Sequence, residues 1–254
     1  MSDALIGHTG FVGGAIQRAR SFDARYRSTD IDTIRGCHFG TVVCCGAPAE
    51  KWRANRDPAE DRARLATLTD ALAEVEIDRL VLISTIDIYP QPNGVNEETV
   101  VDASAGQPYG RHRLALEEFC RARFQTTVVR LPGLYGQGLK KNAIFDLMHD
   151  RPVDGVPGNA RFQFYDVGRV WHDVERILAA GIATANITAE PVAMAEVAAR
   201  IFDRDLPTPW ADNAPSYDVR SVHAALVDGR NGYWFDADSV FEGLRRFVAS
   251  AKAP

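Results

Sequence analysis

Three glycines near the start constrain this chain more than any other feature. They stand in Gly7-His8-Thr9-Gly10-Phe11-Val12-Gly13, directly after the apolar run Ala4-Leu5-Ile6 and at the head of a helically spaced stretch from Phe11 to Arg20. The expected local structure is strand, glycine turn, helix. Gly7 lets the chain turn sharply off the strand, Gly10 admits a ligand close to the backbone, and Gly13 lets the helix lie near the strand. The N–H groups at the helix start, from Thr9 through Phe11 and Val12, then face an anion with the positive end of the helix dipole behind them. A pyrophosphate suits such a place. The spacing is G-x-x-G-x-x-G, not the G-x-G-x-x-G of the common dinucleotide fingerprint, and a tight β-α turn needs glycines even without a ligand.

The next ligand-side positions follow from the same geometry. Ala24 to Ser28 reads as a short second strand, whose end in a dinucleotide fold meets the adenosine ribose. An acid there binds a 2′-hydroxyl, whereas Arg or Ser suits a 2′-phosphate. Arg27 and Ser28 precede Asp30 and Asp32, so both readings stand, with a slight lean to NADP over NAD. Asp30 is also a candidate N-cap for a short helix from Ile31 to Arg35. Phe39 to Cys45 has the continuous apolar character of a parallel strand buried on both faces, and it ends in Gly46-Ala47-Pro48, small residues at the next ligand-side loop.

Further alternation continues the pattern. A helix is expected from Pro58 to Val75, with Leu65, Leu68, Leu72 and Val75 on one face. A strand from Arg79 to Ile83 runs into Ser84-Thr85-Ile86-Asp87, and a Pro-, Asn- and Gly-rich loop reaches Pro108. Then come a helix from Tyr109 to Phe124, a strand from Thr126 to Leu131, and the loop Pro132-Gly133-Leu134-Tyr135-Gly136. Four or five β-α units in series predict a Rossmann-type doubly wound parallel sheet with ligands at the carboxyl ends of its strands. Beyond residue 138 the alternation weakens. Helical patterns at Ala143–Asp150, Arg169–Ala180, Val192–Phe202 and Ser239–Ala251, with an extended piece at Arg161–Tyr165, suggest a small C-terminal substrate lobe with the last sheet elements. The expected division is residues 1–138 and 139–254, without a clean boundary.

Composition narrows the class. With 34 acidic and 29 basic side chains among 254 residues, no global field recruits nucleic acid or an anionic membrane. No apolar stretch approaches the roughly eighteen residues of a membrane span. Four cysteines without C-x-x-C spacing read as reduced, buried thiols, not a disulfide framework or metal site. No signal peptide is expected, and the cytoplasm is the expected location. A homodimer is one assembly open to the chain.

The chemistry-bearing positions are Thr85, Tyr109 and Arg113. Tyr109 opens its helix and Arg113 follows one turn later. A tyrosine near its reference pKa of about 10 is a poor base at neutral pH unless a cation lowers that value, and Arg113 is placed to do so. The plainer reading is that Tyr109 packs at a helix start and Arg113 is solvated. The stretches GHTGFVGG, LISTIDIYP, PYGRHRLALEEF and VVRLPGLYGQG, in that order, resemble the extended short-chain dehydrogenase/reductase superfamily, specifically its NAD-dependent epimerase/dehydratase family. The resemblance covers residues 3 to 140. It implies that Gly7, Gly10 and Gly13 underlie a cofactor pyrophosphate, that Thr85 is the catalytic Ser/Thr, and that Tyr109 is the tyrosine of Y-x-x-x-K. Pro132 and Gly133 fall in the loop facing the nicotinamide.

Departures from the family pattern are specific. Arg113 replaces the lysine that holds the nicotinamide ribose, and a planar guanidinium does not substitute freely for an ammonium. Asp87 falls where sugar dehydratases carry an acid, but Ile86 replaces the acid usually before it, which leaves a simple loop carboxylate as the plainer role. The segment between the second strand and Phe39 is short for a full β-α-β unit. Lys140, Lys141, His112, His172-Asp173, Arg161 and Arg169 are lesser candidates, each with a surface or packing role as its default. The expected activity is Tyr-assisted hydride transfer on a nucleotide-sugar-like substrate, as an NAD(P)-dependent oxidoreductase, epimerase or dehydratase. A protein of the same fold that senses NAD(P) without chemistry is the alternative.

Overall fold

The computed structural model describes residues 1–153, 155–206, 212 and 214–252. In chain order its elements are β1 (Asp3–Ile6), α1 (Phe11–Ala19), β2 (Ala24–Tyr26), β3 (His38–Cys44), α2 (Lys51–Arg56), α3 (Pro58–Leu72), β4 (Glu76–Thr85), β5 (Asn93–Val95), α4 (Pro108–Arg123), β6 (Thr126–Leu131) and β7 (Gly133–Tyr135). They continue with α5 (Ala143–Met148), β8 (Arg161–Phe162), β9 (Phe164–Asp166), α6 (Val170–Ala179), β10 (Thr184–Asn186), β11 (Val192–Ala193), α7 (Met194–Phe202), β12 (Asp218–Val219) and α8 (Ala237–Lys252).

Two compact units divide the chain, the first being Met1–Pro90, Thr99–Leu131 and Arg169–Ala185. Its centre is a six-stranded sheet in the order β10-β6-β4-β3-β1-β2. β1 pairs in parallel with both β2 and β3, and β4 with both β3 and β6. The chain leaves β1 toward β2 on one side and returns to β3 on the other. The carboxyl ends of β1 and β3 therefore diverge at a topological switch point, where sheets of this kind take ligands. Among the described residues only β2 lies beyond β1. Between β2 and β3 there is just a 3₁₀ turn, Ile31–Ile34, so the short segment seen in the sequence leaves that edge one strand narrower than the six-stranded dinucleotide sheet in the order 3-2-1-4-5-6.

The sequence explains these elements locally. Ala4, Leu5, Val42, Val43, Leu80 and Val81 are wholly buried, as central parallel strands covered on both faces require. α3 begins where Asp57 accepts the Glu60 N–H at 3.0 Å and Pro58 fills the first turn. Its Leu65, Leu68 and Leu72 join the strands in one core. β4 is longer than the apolar run predicts because Glu76 and Ile77 pair with His38 and Phe39 of β3. Asp30 departs from its expected cap role. Its carboxylate takes the Arg27 N–H at 2.7 Å and does not cap the 3₁₀ turn.

The second unit comprises Gln91–Glu98, Pro132–Gly168 and the chain from Asn186 onward. Its own core gathers Ile144, Phe164, Val192, Met194, Val197, Phe241 and Leu244. Two-stranded pairs β5–β12, β7–β9 and β8–β11 accompany it. Among the described residues no helix is long and apolar enough to cross a membrane.

Candidate functional site

At the end of β1 the backbone makes the tight turn that the glycines foretell. Gly7 sits at φ +84°, a conformation that L side chains seldom adopt, and a β-carbon there would come 2.7 Å from the Cys45 carbonyl carbon. At Gly13 it would come 2.8 Å from the carbonyl carbon of Gly7, so helix and turn are in backbone contact. Gly10 takes the N-cap position of α1 with no side-chain cap, and the first turn of α1 holds no acidic residue. The helix start thus presents backbone donors and no competing carboxylate, which fits a pyrophosphate in chemistry and placement. Thr9 and Gly10 are exposed, and Phe11 and Val12 half-buried. Gly46 and Ala47 follow β3 across the switch point. A β-carbon on Gly46 would meet Ile6 Cγ2 at 3.0 Å, and Ala47 packs on the core.

Beyond β2, Arg27 and Ser28 are exposed, and Arg27 Nε lies 3.4 Å from Asp30 Oδ2. The two rival groups for the ribose are therefore partners of one another. Neither the 2′-phosphate nor the 2′-hydroxyl reading has its residue standing alone.

The second cluster forms where β4 ends and α4 begins. Thr85 is the last residue of β4, and its hydroxyl accepts the Asp87 N–H at 3.1 Å. Tyr109 is buried in the first turn of α4. Gly110 follows it for a steric reason invisible in the sequence: a β-carbon there would overlap the Asp87 carbonyl oxygen and come 3.0 Å from its carbon. α4 thus packs backbone to backbone on the turn Ile86–Ile88 that follows Thr85.

Arg113 is not a solvated side chain. It is 2 % exposed, its guanidinium lies 4.0 Å from the centre of the Tyr109 ring, and both its terminal nitrogens bond Asp61, Nη2 to Oδ1 at 2.8 Å. Nη2 also donates to the Pro48 carbonyl at 2.5 Å. His112 Nδ1 donates to Asp61 Oδ2 at 2.7 Å, so this histidine belongs to packing and not to solvent. Arg113 Nε and His112 Nε2 are buried without a partner. Burial works to raise the Asp61 carboxyl, but hydrogen bonds from Arg113 and His112 and their charges outweigh it, and the net direction is downward.

Burial pushes the Tyr109 phenol above its ordinary value; the Arg113 charge opposes this, the Asp87 charge adds to it, and the Lys51 charge opposes it. Arg113 therefore acts in the direction expected of it, but in the protein alone burial outweighs it.

Four residues here escape sequence reasoning. Lys51 Nζ lies 2.7 Å from Asp87 Oδ1, so Asp87 is an ion-paired group and not a plain loop carboxylate. Asn55 Oδ1 accepts the Tyr109 N–H at 3.0 Å, and its Nδ2 donates to Gln107 Oε1 at 2.5 Å. Asp61 and Gly110 complete the set. Behind them, buried Glu117 takes Arg130 Nη2 at 2.7 Å and the Ser84 hydroxyl at 2.5 Å. The i, i+4 spacing of Lys51 and Asn55 was the one signal available in advance.

The lesser candidates disperse. Pro132 and Gly133 belong to the second unit, where a β-carbon on Gly133 would come 3.0 Å from the Gln163 carbonyl oxygen. Lys140 and Lys141 are exposed. Asp173 is not a surface residue but wholly buried, with Arg169 Nε 3.7 Å away, while His172 is exposed. Arg161 donates to the Pro191 carbonyl at 2.7 Å.

Comparison with known proteins bears on the fold and the family. No curated protein matches the sequence. Among solved structures, MoeE5 in complex with UDP-glucuronic acid and NAD superposes with a TM-score of 0.75 at 18% identity, covering 99% of each chain. The UDP-glucose 4-epimerase of Thermotoga maritima with UDP-glucose gives 0.73 at 16% identity over 99% of each chain. The dTDP-4-dehydrorhamnose reductase of Bacillus anthracis in complex with NADP gives 0.72 at 17% identity over 98% of each chain. At such identities the likeness establishes the fold. The sequence itself matches the model of the NAD dependent epimerase/dehydratase family over residues 22–151, and this chain belongs to that family.

Proposed function

We propose that the protein is an NAD(P)-dependent enzyme acting on a nucleotide-sugar-like substrate, as an oxidoreductase, epimerase or dehydratase, with Tyr109 moving a substrate hydroxyl proton. The observation that carries this reading is the buried Tyr109 ring, 4.0 Å beneath the Arg113 guanidinium and held through its backbone N–H by Asn55, in the first turn of α4. Solved structures of the same fold bind UDP-glucuronic acid with NAD, UDP-glucose, and NADP, which supports both the cofactor and the substrate class. The glycine turn would hold the pyrophosphate through backbone N–H groups at residues 11–13. When bound, the nicotinamide supplies the site that accepts or returns hydride.

The chain's own part is proton handling. Tyr109 takes or gives the hydroxyl proton, and Thr85 holds the same oxygen. Arg113, fixed by Asp61, favours the phenolate that forms. Asp87 lies one turn of chain from Thr85 and is a further acid in reach of this cluster. Tyr109→Phe keeps the ring and removes the proton; turnover should fall by roughly 10² to 10⁴, with cofactor affinity nearly unchanged. The rival is an NAD(P) sensor without chemistry. It draws on Arg113, whose guanidinium is engaged by Asp61 and Pro48 where the family has a lysine. A wild-type chain that binds NADH or NADPH but stays inert across a panel of UDP- and dTDP-sugars would favour the sensor; an active Tyr109→Phe chain would refute the proton-transfer role.

A further inference from the structure

The glycine turn is tied to the end of β2 by two hydrogen bonds that meet on one atom. The carbonyl of Tyr26, the last residue of β2, accepts the Gly7 N–H at 2.7 Å and His8 Nδ1 at 3.1 Å. A carbonyl oxygen only accepts, so Nδ1 carries the ring hydrogen, and Nε2 of the neutral ring is left as an acceptor. His8 is half-buried, and among the described residues its Nε2 has no hydrogen-bond partner. The imidazole therefore stands between the turn and the point where β2 runs into Arg27 and Ser28, with one nitrogen committed and one available.

At that point a dinucleotide fold meets the adenosine ribose, ordinarily through an acidic side chain about twenty residues beyond the glycines that binds the 2′-hydroxyl. The carboxylate at this place, Asp30, is engaged by its own loop. It accepts the Arg27 N–H at 2.7 Å and lies 3.4 Å from Arg27 Nε. We propose that His8 reads the adenosine ribose in its stead: neutral Nε2 accepts a 2′-hydroxyl, and protonated Nε2 donates to a 2′-phosphate. One side chain then favours NAD or NADP according to its charge. This deepens the proposed function and rests on its NAD(P)-binding part alone, not on proton transfer by Tyr109.

The titratable and charged groups of this corner come from several elements. β2 and the chain after it bring the Tyr26 phenol, Arg27 and Asp30, and Cys37 packs with Tyr26 against the same core. α1 brings Arg18, whose Nη1 and the His8 carbonyl oxygen both lie within 4 Å of a β-carbon built on Gly14. Among these side-chain types only imidazole ordinarily changes charge between pH 5 and 8.

Fluorescence titration of NADH and NADPH between about pH 5.5 and 8.5 tests the assignment without turnover. In the wild type the preference for NADPH over NADH should fall about fivefold as pH rises through this range, the size of a partly exposed ion pair. His8→Asn keeps a donor for the Tyr26 carbonyl and removes Nε2. At about pH 8 its Kd for NADH should rise about threefold to tenfold, the range for one net hydrogen bond. Its preference should retain only the pH dependence that the cofactor's own phosphate brings. A histidine that merely ties the turn to β2 predicts wild-type affinities and pH dependence for His8→Asn, and that result overturns the proposal. Imidazole carbon-13 NMR of the wild type needs no variant: one of the six histidine midpoints should lie higher with NADPH bound than with NADH. Six midpoints that are the same with either cofactor overturn the proposal as well. A wild type that binds neither cofactor at any pH overturns this assignment and the NAD(P) reading together. One that binds both as expected, yet stays inert toward UDP- and dTDP-sugars, defeats only the enzymatic reading and leaves His8 in its role.

Discussion

Asp61 offers the sharpest perturbation, because one buried carboxylate holds both a guanidinium and a histidine in the interior. Asp61 is 5 % exposed and Arg113 2 %; both Arg113 terminal nitrogens and His112 Nδ1 converge on its oxygens. Asp61→Asn keeps the shape, removes the charge, and turns an amide N–H₂ toward donors. The Arg113 guanidinium is then buried without a counter-charge, a loss of about 3–5 kcal/mol. For a chain of this length each kcal/mol lowers Tm by about 2–4 °C, so a fall of about 10 °C is expected. Thermal unfolding followed by circular dichroism, checked by urea titration, measures it.

The pH dependence supplies a second reading of the same bond. The folded Asp61 pKa is depressed, so its stabilisation is complete above the unfolded value of about 3.9 and disappears as pH falls through the lower folded value. The wild-type chain should lose this part of its stability below about pH 4, a loss that Asp61→Asn cannot show. Asp61→Leu/Arg113→Met replaces the pair with apolar groups and should recover most of the stability, since the damage lies in the orphaned charge. A loss under about 1 kcal/mol for Asp61→Asn would show the pair to behave like an exposed one and refute the reasoning.

Two further substitutions test the backbone contacts. Gly110→Ala places a β-carbon on the Asp87 carbonyl and should push the start of α4 away, lowering both Tm and turnover while NADH affinity changes less. Gly10→Val, at a position where the backbone tolerates a side chain and only the Gly7 carbonyl oxygen lies near, at 3.2 Å, should leave the fold intact and abolish most NADH or NADPH binding by fluorescence titration; unchanged affinity would remove the turn from the pyrophosphate site.

What the sequence revealed of the fold was its local chemistry. Gly7 and Gly13 announce the β1–α1 turn because close backbone approach admits no other residue, and the buried runs of β3 and β4 follow from strands covered on both faces. Pro108 and Tyr109 mark the start of α4. α2 was not legible: six residues, four of them polar or charged, offer no apolar stripe, and the helix is held by Asn55 contacts more than fifty positions along the chain. Asp61 and Arg113 are likewise 52 residues apart, so their pairing is a product of the α3–α4 packing and not of any pattern. Asp30 looked like a cap because capping residues precede short helices, but the Arg27 N–H was nearer to its carboxylate. The burial of Asp173 escaped notice since a carboxylate beside a histidine on an amphipathic helix reads as surface until the partner face is known.

The exchange of lysine for Arg113 makes physical sense only with its partners in view. A guanidinium fork matches both oxygens of Asp61 and can still lie flat on the Tyr109 ring; an ammonium at the same position has the charge but neither the fork nor the plane. A lysine at 113 would therefore leave one Asp61 oxygen and the Pro48 carbonyl unserved in a buried place. The converse holds at Lys51, where a half-exposed position beside the Asp87 carboxylate suits a compact point charge. Changing residue 113 alone moves this chain away from a self-consistent charge arrangement instead of restoring a family pattern, because Asp61 and Asp87 each select the cation that faces them.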